Sequence, residues 1–307
     1  MKVLSWNVRG LGKPRTRQSI KKVLHLHKPE ICFCCETKML AKQVYVEGRN
    51  FNFEYCFAVD RDGMGGGLAL FWNAKDKVEI KSFSKHHIDA LVHNNSGKVL
   101  RCTGVYGHPE TSQRHHTWTL LKRLAGIFSL PWCCLGDFNE VLYLHEKSGG
   151  RDRNPNLVAS FREAVEACNL MDVGYSGYKY TWSNRRYDSQ FIEERLDRVL
   201  CSKNWTDTFQ DLTATSLVNW VSDHCPILME VKERVKATKY EKRSFSRNYY
   251  EDMWSSYEDC KNIVNKEWAV FGGRSKANPV QQFQKIAKSS LANLKIWNNS
   301  EFKDREQ

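Results

Sequence analysis

Trp132-Cys133-Cys134-Leu135-Gly136-Asp137-Phe138-Asn139 is an apolar run that ends abruptly in polar groups. A short apolar run closed by a Gly-Asp turn reads as a buried strand, and the polar residues then sit at its C-terminal end. Four other segments repeat the design: Leu4-Ser5-Trp6-Asn7, Phe33-Cys34-Cys35-Glu36-Thr37, Gly104-Val105-Tyr106 and Val221-Ser222-Asp223-His224-Cys225-Pro226. A sixth, Glu194-Arg195-Leu196-Asp197, places a carboxylate at the head of a strand. Strand ends in α/β folds converge on one edge of the core, where ligands bind. These segments therefore predict one shared site.

Working outward, strands are expected at Lys2–Val8, Ile31–Glu36, Gly67–Trp72, Val99–Tyr106, Trp132–Asp137, Arg195–Cys201 and Ile227–Val231. Helices are expected at Arg17–His27, Gln113–Phe128 and Asn156–Cys168. The last has Asn156 as its N-cap and Val158, Phe161 and Val165 at helical spacing. Strands mixed with helices of this length argue for an α/β fold. Gly63-Met64-Gly65-Gly66-Gly67 lacks the pattern and the following helix of a phosphate-cradling loop, and reads as a flexible strand entry. No internal repeat is evident.

The composition sets the class. A 307-residue chain with 41% hydrophobic residues can bury a sizeable core. It holds no apolar run of about 18 residues, so no membrane span is expected. Its N-terminus lacks the apolar segment of a secretory signal. Most of the eleven cysteines lie in apolar runs and behave as small hydrophobes of a reducing compartment. Cys32 and Cys35 form a C-x-x-C, but no second pair completes a zinc site. A net charge of +12 suits a polyanionic partner.

After Val231 the texture changes. Residues 232–247 carry Lys or Arg at positions 232, 234, 236, 239, 242, 243 and 247. Two helical stripes follow, Met253-Tyr257-Cys260-Val264-Trp268 and Val280-Phe283-Ala287-Leu291-Leu294, with Gly272, Gly273 and Pro279 between them. We place a boundary at 232, giving a first domain at 1–232 and a basic linker with a helical extension at 233–307.

The polar groups suggest phosphodiester chemistry. Glu36, Asp137 and Asp223 are hard oxygen donors, and Mg²⁺ takes one or two carboxylates while keeping several waters. His224 with a carboxylate partner can hold a water or a phosphate oxygen. Asn7, Asn139 and Tyr106 donate hydrogen bonds without adding charge. Singly, each has a bland reading as a cap or a turn; jointly and in this order they do not.

Ser5-Trp6-Asn7-Val8-Arg9-Gly10-Leu11, Glu36-Thr37, Gly136-Asp137-Phe138-Asn139, Arg195-Leu196-Asp197 and Ser222-Asp223-His224-Cys225-Pro226 resemble the motifs of the endonuclease/exonuclease/phosphatase superfamily. DNase I and the apurinic/apyrimidinic endonucleases share its fold. Gly104-Val105-Tyr106-Gly107-His108-Pro109, Leu130-Pro131-Trp132, Glu140 with Glu146-Lys147, Tyr180-Thr181-Trp182-Ser183-Asn184 and His87-Ile88-Asp89 bring the likeness closest to endonuclease domains of plant LINE-type (non-LTR) retrotransposons. The resemblance implies a four-layer α/β sandwich over residues 1–232: two packed mixed sheets flanked by helices, with a helical extension after it. It implies Mg²⁺, with Mn²⁺ as a substitute, bound by Glu36 with Asp223 on the metal side. His224 would contact the scissile phosphate, supported by Asp197. Asp137 would orient or deprotonate the attacking water, Asn7 and Asn139 would position water and phosphate, and Tyr106 would hydrogen-bond the phosphate. Cleavage would leave a 3′-hydroxyl that primes reverse transcription.

One position departs from the pattern. Two residues after the first Asn, abasic-site endonucleases carry an Asp that contributes to the metal site; here it is Arg9, which has no lone pair to offer. Arg9 then either contacts a DNA phosphate or weakens metal binding. Lys13, Arg15, Arg17, Lys21 and Lys22 follow closely and either line a phosphate path or form a solvated helix face. Asn184 is a candidate DNA contact, and Trp182 is either core or a wedge. Lys203–Val221 is expected to be a surface loop that tunes target choice. DNA is thus the expected partner and the nucleus the expected location, with the cytoplasm as the alternative. The C-terminal helices are expected to dock on the domain, or to associate with a second copy or a reverse transcriptase. No polymerase motif appears before Gln307, as in a truncated element. Two rival readings remain: a phosphodiesterase of the same fold acting on inositol phosphates or sphingomyelin, and a silent nucleic-acid-binding module.

Overall fold

The computed structural model describes residues 1–73, 78–94, 97–186, 188–218, 221–233, 254, 257–271 and 279–302. They divide between two units, 1–235 and 236–307. Most of the basic stretch 232–247, and Met253 of the first stripe, lie outside the described residues.

In the first unit the chain runs β1 (Lys2–Asn7), α1 (Pro14–His27), β2 (Ile31–Cys35), α2 (Ala41–Asn50), β3 (Tyr55–Asp62), β4 (Gly65–Trp72), β5 (Val78–Ser84), β6 (His87–His93), β7 (Val99–Tyr106), α3 (Arg114–Ala125) and β8 (Trp132–Asp137). It continues with β9 (Lys147–Ser148), α4 (Pro155–Ala167), β10 (Leu170–Asp172), β11 (Ser176–Gly177), β12 (Trp182–Ser183), β13 (Glu193–Glu194), β14 (Asp197–Ser202), α5 (Lys203–Thr208), β15 (Phe209–Ser216) and β16 (Ile227–Glu233). One mixed sheet has the order β11-β15-β16-β1-β2-β4-β3 and the other β10-β14-β8-β7-β6-β5; β12, β13 and β9 form a small third sheet.

Period-two alternation in runs that are apolar on both faces builds the four layers. Val3, Ile31, Phe33 and Cys35 point into the core between the two large sheets, where they meet Ile88, Leu135 and Met229. Their neighbours Leu4, Trp6, Cys32 and Cys34 face the other way, against Ile20 and Leu24 of α1 and Val44 of α2. On the far side, Val105, Cys134 and Leu200 pack under Trp118 and Leu121 of α3 and Phe161 and Val165 of α4. Each fully buried Phe or Leu stabilises the fold by roughly 2 kcal/mol. The same alternation removes the zinc reading, because Cys32 and Cys35 face different cores. All eleven cysteines are free thiols.

Several expectations need correction. Asn154, not Asn156, caps α4: Pro155 takes the first helical position and the Asn154 side chain accepts the Asn156 N–H. The glycines at 63–67 do enter a strand, β4, and they do so as the turn of a β3–β4 hairpin whose strands pair from Asp62↔Gly65 onward. Lys203–Val221 is largely not a surface loop, since α5 and β15 occupy it and β15 pairs with both β11 and β16. The second unit contains α6 (Glu258–Phe271) and α7 (Pro279–Phe302). Cys260, Val264 and Leu294 pack together there with Trp254 and Trp297, so the two stripes cover each other in part. Among the described residues no helix is long and apolar enough to cross a membrane.

One buried ionic cluster fixes the strand that enters the site. Arg195 and Arg198 each reach Glu146 at 2.8 Å, and both reach Asp172, at 2.9 and 2.6 Å. Burial would raise the Glu146 pKa, but the guanidiniums outweigh it and hold it at about 2. That depressed pKa contributes stability that is whole above the ordinary value of 4.5 and is lost as pH falls through 4.5 toward 2. Urea unfolding against pH should show this loss in the wild type and not in Glu146→Gln. At pH 7 the variant should be less stable by ~3 kcal/mol, since Asp172 alone is left to balance two buried guanidiniums.

Candidate active site

The β8–β14 ladder sets Asp197 directly opposite Asp137. Both carboxylates are buried, and burial disfavours the charged form. His224, arriving just before β16, stands between them. Its Nδ1–H donates to Asp197 Oδ2 at 2.8 Å, and its Nε2 faces Asp137 Oδ2 at 3.7 Å. Burial lowers the imidazole pKa, but Asp197, Asp137 and Asp223 together outweigh it and raise it to about 9. Burial pushes Asp137 up to about 6, with His224 and hydrogen bonds from Asn7 and the Asn139 N–H pulling the other way.

Asn7 ends β1 and joins the halves of the site. Its Nδ2 donates to Asp137 Oδ2 at 2.9 Å and to Glu36 Oε1 at 3.1 Å. Tyr106 ends β7 and donates its hydroxyl to Glu36 Oε1 at 3.1 Å. Burial, then Glu36 and Asp137, keep that phenol protonated. Asn139 differs from expectation in its immediate partner: its Nδ2 donates to Gly107 O at 2.8 Å, while its N–H caps Asp137. Arg9, Glu36 and Asn139 all have positive φ, of 44°, 51° and 55°. Backbone held in the left-handed region at several strand ends is strain stored where the tertiary structure over-determines it. Gly136 permits the close approach of β7, because a Cβ there would sit 2.0 Å from Val105 O.

Glu36 and Asp223 lie at the rim. Burial opposes ionisation of both. Asn7, Lys38 and Arg9 nevertheless hold the Glu36 pKa low, and His224, Arg9 and Trp182 do so for Asp223. Both are therefore charged, half-buried oxygen donors, the kind a hard divalent ion takes. Asp137, Asp197 and His224 also offer ligand atoms within 4.8 Å of one another. There, however, the imidazole Nδ1 is already spent on Asp197, so the rim pair fits a metal better. Arg9 touches both rim carboxylates: it pairs with Asp223, and its Nε lies 3.7 Å from Glu36 Oε2.

Other nominated residues lie at the edge of this cluster or away from it. Arg17 pairs with Glu47 at 2.7 Å and ties α1 to α2. Lys13 and Arg15 are exposed at the start of α1. Asn184 organises its own loop, accepting from the Arg186 and Ile192 N–H groups and donating to Gln190 O. Trp182 is half-buried and donates its indole N–H to Asp223 at 2.9 Å. Three participants went unassigned in the sequence. Thr181 donates to Asp197 at 2.8 Å, and Ser222 donates to Asn7 O at 2.7 Å. Both stand in motifs already quoted, so their placement was available. Lys38, 3.2 Å from Glu36, had no such signal.

The profile described as the Endonuclease/Exonuclease/phosphatase family matches residues 4–224, from β1 to His224 itself. The chain belongs to that family. No curated protein matches the sequence. Among solved structures, the fold is similar to the 3′-5′ exonuclease NExo from Neisseria meningitidis (TM-score 0.57, 17% identity, 75% of this chain and 99% of that one). It is also similar to the AP endonuclease LMAP from Leishmania major (0.58, 16%, 74% and 86%). A third is the endonuclease domain of TRAS1, a telomere-specific non-LTR retrotransposon (0.55, 13%, 77% and 99%). These likenesses establish the DNase I-like sandwich for this member of the Endonuclease/Exonuclease/phosphatase family, a family of nucleases and phosphatases.

Asp197 is the main carboxylate holding His224 protonated. In Asp197→Asn, the imidazole pKa should fall from about 9 toward its ordinary 6.5. NMR titration of the His224 ring protons checks this; an unmoved pKa would contradict the pairing.

Proposed function

We propose that this protein is a divalent-metal-dependent DNA endonuclease of the LINE retrotransposon type, nicking target DNA to leave a 3′-hydroxyl. The observation that carries the reading is the buried Asp197–His224 pair facing Asp137 across Asn7, beside the charged rim carboxylates. The basic surface supports a polyanionic substrate, since phosphate neutralisation drives such binding. The family match and the closer motif likeness to plant LINE-type domains support the finer assignment. With a chromosomal substrate, the nucleus is the compartment this reading proposes.

Glu36 and Asp223 would hold Mg²⁺ or Mn²⁺, which supplies charge neutralisation at the scissile phosphate. The remaining work falls to the chain. At neutral pH Asp137 is mostly ionised yet close enough in pKa to accept a proton, so it takes one from the attacking water. Asn7 fixes that carboxylate, and the Asn139 N–H caps its other oxygen. His224 is an imidazolium at this pH: Nδ1–H is anchored on Asp197, and Nε2–H, which faces Asp137, is the donor that would meet a phosphate oxygen. Tyr106 stays protonated and donates beside it. Water oxygen bonds to phosphorus, the bond to the 3′-oxygen breaks, the leaving oxygen takes a proton from solvent while Asp137 returns its own to solvent, and the products are a 3′-hydroxyl and a 5′-phosphate.

Purified protein should nick supercoiled plasmid with Mg²⁺, and EDTA should abolish the activity. His224→Ala and Asp137→Asn should each lower the rate by roughly 10²–10⁴-fold. DNA binding without nicking, or turnover of phosphoinositides with no action on DNA, would overturn the assignment.

A further inference from the structure

Arg9 is a chain-borne cation lying on the two carboxylates assigned above to the divalent ion. Its Nη1 pairs with Asp223, and its Nε is 3.7 Å from Glu36 Oε2. Lys38 Nζ adds a second cation 3.2 Å from the same Glu36 oxygen. A metal ion approaching this pair meets like charge at the place where it needs free carboxylate oxygens. The guanidinium itself is not walled in, because the Arg9 side chain is 48% exposed. Its backbone is held, through its N–H to Asn7 Oδ1 at 3.2 Å, but its head can move.

The space for that movement adjoins the site. Arg9 and Asp223 line one side of an open cleft of about 700 Å³, with Trp182, Arg151 and Arg186 also on its walls. Arg151 and Arg186 are exposed cations, so the cleft attracts a polyanion. A guanidinium binds phosphate oxygens with the same planar fork that it offers a carboxylate. A phosphate in the cleft can thus compete with Asp223 for Arg9.

We infer that Arg9 gates the metal subsite: it neutralises Glu36 and Asp223 in the free protein and is drawn onto a backbone phosphate when DNA enters the cleft. This rests on the metal-dependent DNA reading given above. Metal and DNA then bind with positive coupling, because each favours the arrangement in which Arg9 has left the carboxylates. By linkage the coupling is reciprocal. The gate differs from a plain loss of a metal ligand, which would weaken metal binding equally with and without DNA.

The test is direct Mn²⁺ binding to the full chain, read from the spin-resonance signal of free Mn²⁺ at constant ionic strength. Without DNA, Arg9→Gln should bind Mn²⁺ about tenfold or more tightly than the wild type, the size expected for removing a like charge at contact. Arg9→Asp should bind more tightly still, and Arg9→Lys should stay near the wild type. Gln and Asp replace an exposed side chain, and each checks the other. Adding a short duplex with phosphorothioate linkages should tighten Mn²⁺ binding by the wild type several-fold more than by Arg9→Gln, in which only the phosphate's own attraction for the ion remains. An Arg9→Gln affinity equal to the wild type's overturns the gate, as does an equal gain from DNA in both proteins. Plasmid nicking with unaltered Mn²⁺ affinity in Arg9→Gln would sink the gate and keep the endonuclease. Tightened Mn²⁺ binding without nicking would do the reverse for the metal half of the proposal.

Discussion

Two buried carboxylates face each other across the β8–β14 ladder, and much of the site answers that fact. Asp137 and Asp197 cannot both sit ionised in a low-dielectric core without compensation. His224 supplies the charge between them, and Thr181 and Asn7 supply neutral donors from either side. The asymmetry of the support separates their roles. Asp197 holds the imidazole at 2.8 Å, while Asp137 stays farther from it with its pKa pushed up to about 6. One environment yields an anchor for the imidazole and the other a carboxylate that takes a proton more readily.

The scaffold makes this arrangement rigid. β14 is held by Arg195 and Arg198 on Glu146 and Asp172, on either side of the residue that carries the anchor carboxylate. β1 is clamped on both sides, antiparallel to β16 and parallel to β2, so Asn7 cannot drift. Ser222 ties the His224 segment to the Asn7 carbonyl. Functional groups placed on packed strands hold their geometry better than groups on loops. The rim is the softer half. There Arg9, Lys38 and the residues around Asn184 are exposed or half-exposed, and charge rather than packing sets their positions.

Much of this was legible in the chain. Strands buried on both faces gave continuous apolar runs, so β7 and β8 were bounded correctly and β1, β2 and β4 nearly so. Elements at the sheet edges were not legible. β5 alternates exposed and half-buried residues at an edge, and α2 has no Ser, Thr, Asp or Asn cap before it. β15 read as a loop because Gln210, Asp211 and Thr213 interrupt its apolar face, yet pairing on two sides makes it a strand. The site residues at strand ends were found because a polar residue after an apolar run is a local signal. Lys38 was not, since its role comes only from a neighbour brought close by a left-handed turn.

The sequence by itself determined the α/β class and the cast of polar groups, and its motif order carried the likeness that implied the family and the four layers, because periodicity and motif order are properties of the chain. It could not determine which of those groups touch. Asp137 lies sixty residues from Asp197, and only the antiparallel register sets them opposite each other. Likewise Arg9 and Asp223 stand at opposite ends of the domain in sequence, and only the pairing of β16 beside β1 brings that cation onto that carboxylate. Local chemistry is written residue by residue, but electrostatic partnership depends on distance in space, and the packed sheets alone decide it.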